Sequence, residues 1–160
     1  MEPLPSRGVF WICILSIYLA GCGGEYEAYI HQLRAGDAQE REDAAAFLGA
    51  QQVQEGIPAL RMALRDPVLE VRVKAIWALG MLRAKRAMRD LLPRLRDPER
   101  RVRQTTAWAL MQVEEPEAIP ALRVAFKMEK DVWVQGDLKR SIDYLQQFQG
   151  DVDLNESIFR

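Results

Sequence analysis

The sequence predicts an all-α solenoid: a short right-handed α-α superhelix of antiparallel helix pairs with a 31-residue period. Two observations carry this. The phrase Leu64-Arg65-Asp66-Pro67 returns as Leu95-Arg96-Asp97-Pro98. Val71-Arg72 then returns as Val102-Arg103, and Trp77-Ala78-Leu79 as Trp108-Ala109-Leu110, in the same register. A unit of this length cannot bury its apolar face alone, so a fixed period means repeats stacked on their neighbours. The chain has 160 residues, 49% of them hydrophobic. That is enough for one core without disulfides or metals.

The repeats start near Leu33, Leu64, Leu95 and Phe126. Arg41 matches Arg72 and Arg103, and Ala44–Gly49 matches Ala75–Gly80. The fourth repeat needs one inserted residue, after which Val134 matches Val71 and Val102. In the second repeat Val71, Ala75, Ala78, Leu79 and Leu82 make the apolar stripe of a first, or A, helix. Asp66 is expected as its N-cap with Pro67 in its first turn. Gly80 near its end points to close packing or termination. A second, or B, helix is expected from about Ala84, with Leu91, Leu92 and Leu95 inward. Ile57-Pro58 and Ile119-Pro120 place a proline in the first turn of the other B helices, where no intrahelical acceptor is lost. Tyr26 to Leu33 reads as a lone B-type capping helix.

Residues 1–21 read as a targeting segment. Arg7 precedes the apolar run Val9–Ala20, which has the length of a signal-peptide core and is too short to span a bilayer. The run ends in Leu19-Ala20-Gly21-Cys22, which resembles the bacterial lipobox. The resemblance implies lipidation of Cys22 and cleavage before it, leaving residues 22–25 as a lipidated tether. It also implies export and anchoring at the cell membrane, on the periplasmic face of the outer membrane in a Gram-negative host. Two or three acyl chains make such anchoring stable, at about 0.8 kcal/mol per buried methylene. The repeat domain is expected over 26–148 and a flexible tail over 149–160, where Gly150 is followed by acidic residues.

The pattern D-P-x-x-x-V-R-x-x-A-x-x-A-L-G, best seen in Asp66–Gly80 and again in Asp97–Met111, resembles the HEAT superfamily, in particular its PBS-lyase HEAT-like branch. In that superfamily the repeated acid and arginine commonly form a ladder between repeats. The resemblance therefore assigns Asp66, Asp97, Arg72 and Arg103 a structural role. Such a ladder satisfies buried turn backbone.

The resemblance also raises enzymatic relatives, and the residues argue against each. An iron-dependent hydroxylase branch uses repeated His-Glu pairs, but His31 is the chain's single histidine, and a two-histidine iron centre cannot be built from it. Bilin lyases and DNA glycosylases of this fold work in the cytosol, which does not suit an exported chain. No G-x-S-x-G, H-E-x-x-H, phosphate-loop or C-x-x-C motif occurs. No catalytic, metal or cofactor residue is assigned, and a net charge of -1 gives no reason to expect nucleic acid.

Two features point to protein binding. From Leu64 to Arg103 there are 12 basic and 5 acidic residues, between net-acidic flanks. Arg83, Lys85, Arg86, Arg89 and Arg94 gather around the second B helix, and B helices of such solenoids usually line the concave face. The cluster either binds an acidic segment or anionic headgroup or is a solvated helix surface. Trp77 and Trp108 point about 150° from the apolar stripe at about 100° per residue. They form a docking patch on the convex side or pack against adjoining A helices. Trp133 is expected to shield the end of the core. Leu138, Ile142 and Leu145 would be partly exposed if another subunit completes that end.

The function expected is a membrane-anchored, non-catalytic scaffold or adaptor that presents a curved helical surface to an envelope protein. The alternatives are an accessory subunit or enzyme with a small ligand in the concave groove, and a plain envelope spacer.

Overall fold

A computed structural model describes residues 24–158, with side chains from 26 to 148. The signal segment and Cys22 lie outside the described residues. Eight α-helices and no strand occur among the described residues. They are α1 (Gly24–Ala35), α2 (Ala38–Ala50), α3 (Ile57–Ala63), α4 (Leu69–Met81), α5 (Met88–Leu91), α6 (Arg100–Val113), α7 (Ile119–Met128) and α8 (Val132–Ile158). Helices α2, α4, α6 and α8 are the A helices and pack side by side in that order. The capping helix α1 and the B helices α3, α5 and α7 form the second layer, each against an A helix. The architecture is an all-α solenoid of antiparallel pairs.

The A helices hold together because the apolar stripe recurs at one place in each unit. Val71, Ala75, Ala78 and Leu79 are fully buried in α4, as are Val102, Ala109 and Leu110 in α6. Burial extends beyond the stripe to Ile76 and Gly80, because α4 has an A helix on both sides. The approach is close. A Cβ on Gly49 would lie 2.7 Å from Ala78 Cα, and one on Gly80 2.7 Å from Trp108 Cζ3 and 3.0 Å from Ala109 Cα. Any larger residue there would push neighbouring helices apart. The turn leaving each A helix uses a left-handed residue at the same place in three repeats: Gln52, Arg83 and Glu114, with φ of 53°, 46° and 58°.

Four local expectations need correction. First, Asp66 is not the N-cap of α4. Val68 holds that place, and the Asp66 Oδ1 atom accepts the Val68 amide two residues on, at 2.8 Å. Asp97 accepts the Glu99 amide in the same way at 3.0 Å. The Asp-Pro unit therefore makes an Asx turn before the helix rather than its first turn. By contrast Asp37 caps α2 with a full capping box to Glu40.

Second, the B segment of the second repeat is not one helix. It runs as a 3-10 turn (Lys85–Ala87), one turn of α5, and a 3-10 stretch over Leu92–Arg96. Pro93 lacks the amide that a continuing α-helix would use. Leu91 and Leu95 are buried, whereas Leu92 is half-buried.

Third, Trp133 does not shield the core; it is 71% exposed. Val134 takes the inward place, and its predecessor is rotated about 100° away. Leu138, Ile142 and Leu145 are buried rather than left for another subunit.

Fourth, the chain does not leave helical geometry at 149, because α8 continues to Ile158. Gly150 alone costs a helix only about 1 kcal/mol, and no proline follows it.

Candidate interaction surface

The charges sort into those that join repeats and those left open. At the start of α2, α4 and α6 an arginine faces the acid of the next repeat. Arg41 forks onto Asp66, with Nε–Oδ2 at 2.7 Å and Nη2–Oδ1 at 3.0 Å. Arg103 forks onto Glu129, at 2.6 and 3.1 Å. Between them, Arg72 Nε stands 3.6 Å from Asp97 Oδ2, too far for a hydrogen bond. In each case the arginine's Nη1 also donates to turn carbonyls: Gly36 for Arg41, Asp66 and Pro67 for Arg72, Asp97 and Pro98 for Arg103. The four predicted ladder residues are thus not two self-contained pairs. The geometry adds Arg41 and Glu129: Arg41 and Arg103 hydrogen-bond forward by one repeat, and Arg72 faces forward to Asp97 without a hydrogen bond.

The middle rung is loose for a visible reason. Arg94 Nη1 lies 3.8 Å from the same Asp97 Oδ2, so one carboxylate faces two guanidiniums. The Nε atoms of both Arg72 and Arg94 are buried without a hydrogen-bond partner. Arg94 occupies the place of Ala63 and Ala125 in the neighbouring repeats, so the crowding is particular to the second unit.

The acids of the outer rungs respond to their partners. Burial pushes the Asp66 carboxyl upward, but the Arg41 guanidinium and the Val68 amide outweigh it and hold Asp66 below the usual carboxylate range. Burial likewise opposes ionisation of Glu129, and Arg103 with the amides of Asp131 and Lys130 brings it below its ordinary value.

The predicted basic cluster does not act as one patch. Arg83 pairs with Glu114 at 2.7 Å and Lys85 with Glu115 at 2.6 Å, both across to the following repeat. The Glu115 hydrogen bond raises the Lys85 ammonium above its ordinary value. Glu114 also accepts the Tyr144 hydroxyl at 3.0 Å, tying α8 into the same chain of contacts. Arg86 is exposed in the turn ahead of α5. Of the five, Arg89 and Arg94 line a groove on the B side.

Three such grooves lie side by side. One of 490 Å³ separates α3 from the second B segment, with Pro58, Met62, Arg65 and Arg89 among its walls. One of 540 Å³ continues toward α7 and shares Arg89 and Pro93 with the first. One of 370 Å³ opens toward α1 and shares Met62. Arg65 and Arg96, which the sequence reading did not assign to a surface, stand in these walls. The signal for them lay in the repeated Leu-Arg-Asp-Pro phrase, whose arginine recurs without being an inward position.

Trp77 and Trp108 are half-buried and lie over Gly49 and Gly80 of the preceding A helices. Both also line a 350 Å³ groove on the A side with Met111 and Arg140. They pack between repeats rather than stand free. His31 is exposed on α1. Among the described residues no group of three or more His, Cys, Asp or Glu side chains is placed to hold a metal ion, and no helix is long and apolar enough to cross a membrane.

Stacked helix pairs, forward-bonded arginines and a recurrent turn define an α-solenoid repeat protein. The HEAT-repeat family model matches residues 26–98 and 69–143, and the chain belongs to that family. No curated protein matches it in sequence. Among solved structures it is similar to an engineered protein from a structural genomics consortium, with 20% identity and a TM-score of 0.61 over 76% of this chain and 62% of that one. The chain therefore spans less than two thirds of that protein's length. It is also similar to the complex of CpcE and CpcF of phycocyanin lyase from Nostoc, with 21% identity and a TM-score of 0.58 over 92% of this chain and 70% of that one. At such identities the likeness is one of fold.

Proposed function

We propose that this HEAT-repeat protein is a non-catalytic scaffold tethered through lipid on Cys22 to the bacterial cell envelope, where it holds a protein partner. The observation that carries this reading is the division of charge just described. Arginines at the repeat junctions are spoken for by acids of the next unit, while the B-side grooves stay open and basic. A fold that satisfies itself along one side and leaves grooves along the other suits binding. The lipobox supplies the anchor and the export route, to the outer membrane in a Gram-negative host. The fold alone serves many tasks, and this surface is what is particular to the chain.

The test is expression of the full-length protein in a Gram-negative host, with envelope crosslinking and comparison to Cys22→Ala. Lipid labelling of the wild type, its loss in the variant, and a defined envelope partner captured only by the wild type are the expected results. A properly lipidated wild type that captures nothing above background overturns the scaffold.

A second reading is an accessory subunit of a lyase-like assembly that uses a small ligand. It is favoured by the similarity, over most of the chain, to a complex of two lyase subunits. A stoichiometric metal or cofactor in the purified protein, or a ligand that raises its melting temperature, would replace the first reading with this one.

A further inference from the structure

Arg34, Arg65, Arg96 and Lys127 occupy the same place in four successive repeats, 31 residues apart. All four are exposed. Among the described residues none of them makes an ion pair or a side-chain hydrogen bond, unlike the ladder arginines and unlike Arg61, which Asp90 holds at 2.6 Å. Three residues earlier stands a second column: His31, Met62, Pro93 and Val124. It too is exposed, with Met62 at 70% and Val124 at 44%. Residues three apart share a face on an α-helix (His31 and Arg34, Val124 and Lys127) and on the 3-10 stretch (Pro93 and Arg96). Arg65, just past α3, donates its amide to the Met62 carbonyl at 3.2 Å and lines the same groove as Met62, so the B layer carries a cationic stripe beside a mostly apolar one. The two stripes run across the helices, and the three connected grooves lie along them.

We propose that this double stripe binds an extended acidic segment of a protein partner, with a carboxylate at every third residue. Packed helices lie about 8–10 Å apart. A polyproline-type extended chain advances about 3.1 Å per residue and repeats its orientation every third residue, hence about every 9 Å. Carboxylates at i, i+3, i+6 and i+9 then meet Arg34, Arg65, Arg96 and Lys127 in turn. The intervening residues lie over Met62, Pro93 and Val124, and small apolar side chains enter the grooves. Charge selects an acidic occupant, since the one acid on the walls of the two larger grooves, Asp90, is already engaged by Arg61. The recesses between helices favour a chain over a flat anionic bilayer, which would touch the cations and leave the grooves unfilled. The proposal deepens the scaffold reading and rests on it.

The experiment uses full-length protein in detergent micelles and a fluorescent twelve-residue peptide, four repeats of Glu-Pro-Ala. The comparison peptide has the same composition with its four glutamates contiguous. The spaced peptide binds at least tenfold more tightly than the contiguous one, and its binding weakens with added salt. The double variant Arg65→Glu with Arg96→Glu loses tenfold or more, with helical content and melting temperature unchanged. Arg65→Gln with Arg96→Gln gives a smaller loss in the same direction, and serves if charge reversal disturbs folding. A lysine version of the spaced peptide binds the reversed variant better than the wild type. No binding of the spaced peptide, equal binding of both peptides, or binding untouched by either double variant overturns the proposal. So does capture by phosphatidylglycerol vesicles that depends on Arg65 and Arg96 while the peptide does not bind, which assigns the face to a membrane. The two readings fail separately. Cys22-dependent capture without peptide binding sinks the acidic segment alone, and peptide binding without any envelope partner sinks the tethered scaffold.

Discussion

The A and B layers are built from one 31-residue unit, yet they have been spent on different tasks. The A helices α2, α4 and α6 are regular, with 13, 13 and 14 residues, and meet through glycine and alanine. The B helices α3, α5 and α7 have 7, 4 and 10 residues, and prolines stand in or beside each. On the A side the helices approach closely, and Arg41 and Arg103 fork onto acids of the next unit. On the B side cations and apolar side chains reach solvent in columns. A solenoid can leave one layer loosely engaged only where the other fixes the repeat-to-repeat geometry, since nearest-neighbour contacts supply its stability.

The sharpest way to break this contrast is at the middle rung. Asp97 faces both Arg72 and Arg94, so Asp97→Asn leaves two part-buried guanidiniums without a counter-charge. A loss of about 3 kcal/mol in unfolding free energy is expected from the cost of stranding a buried charge, read from urea titrations. A loss under about 1 kcal/mol would mean that this carboxylate is not a charge hub.

Next comes the glycine contact. Gly49→Ala places a methyl 2.7 Å from Ala78 Cα, where backbone must yield, and a loss of about 1–3 kcal/mol is expected. Gly136 on α8 has nothing within 4 Å of its notional Cβ, so Gly136→Ala stabilises by up to about 1 kcal/mol through helix propensity. Thermal melts in which both variants are stabilised would show that propensity, not packing, rules the A layer.

Acid reports on the outer rungs. Asp66 and Glu129 are held below their ordinary ranges in the folded chain. Their contribution is therefore fully present above the unfolded values, about 3.9 for Asp and 4.3 for Glu. It is lost as pH falls through the lower folded values. The urea midpoint stays level from neutral pH to about pH 5 and declines below about pH 4. Arg41→Met removes the share belonging to Asp66, and an unchanged pH profile in that variant would separate the decline from the ladder.

The smallest effect belongs to the B face. Met62→Ala and Arg65→Gln alter stability by no more than about 0.5 kcal/mol, since neither side chain supports a neighbour. A larger drop in melting temperature for either would mean that the open face also holds the stack together.

Much of the fold is legible in the chain because burial at Val71, Ala75, Leu79 and their counterparts follows a helical period set by local sequence. The errors fall where a local rule met a competing one. Asp66 has the chemistry of an N-cap, yet its Asx turn and its pairing with Arg41 use the carboxylate elsewhere. Pro93 is tolerable in a first turn, but it follows α5 and ends it. The candidate surface was less legible. A run of basic residues along the chain suggested one patch of Arg83, Lys85, Arg86, Arg89 and Arg94, whereas proximity in sequence does not decide which cations have acids facing them.

The sequence by itself determined the repeat, its period and the inward residues, since these depend on spacings of a few residues repeated along the chain. The tertiary structure decided which charges are occupied. Arg41 meets Asp66, Arg83 meets Glu114 and Arg103 meets Glu129 across separations of 25, 31 and 26 residues. Those distances are set by how closely whole helices stack, and Gly49 and Gly80 govern that approach through contacts with residues of the next unit. Among the described residues Arg34, Arg65, Arg96 and Lys127 are left unpaired by the same geometry: the acids that share groove walls with Arg65 and Arg34, Asp90 and Asp66, are already held by Arg61 and Arg41.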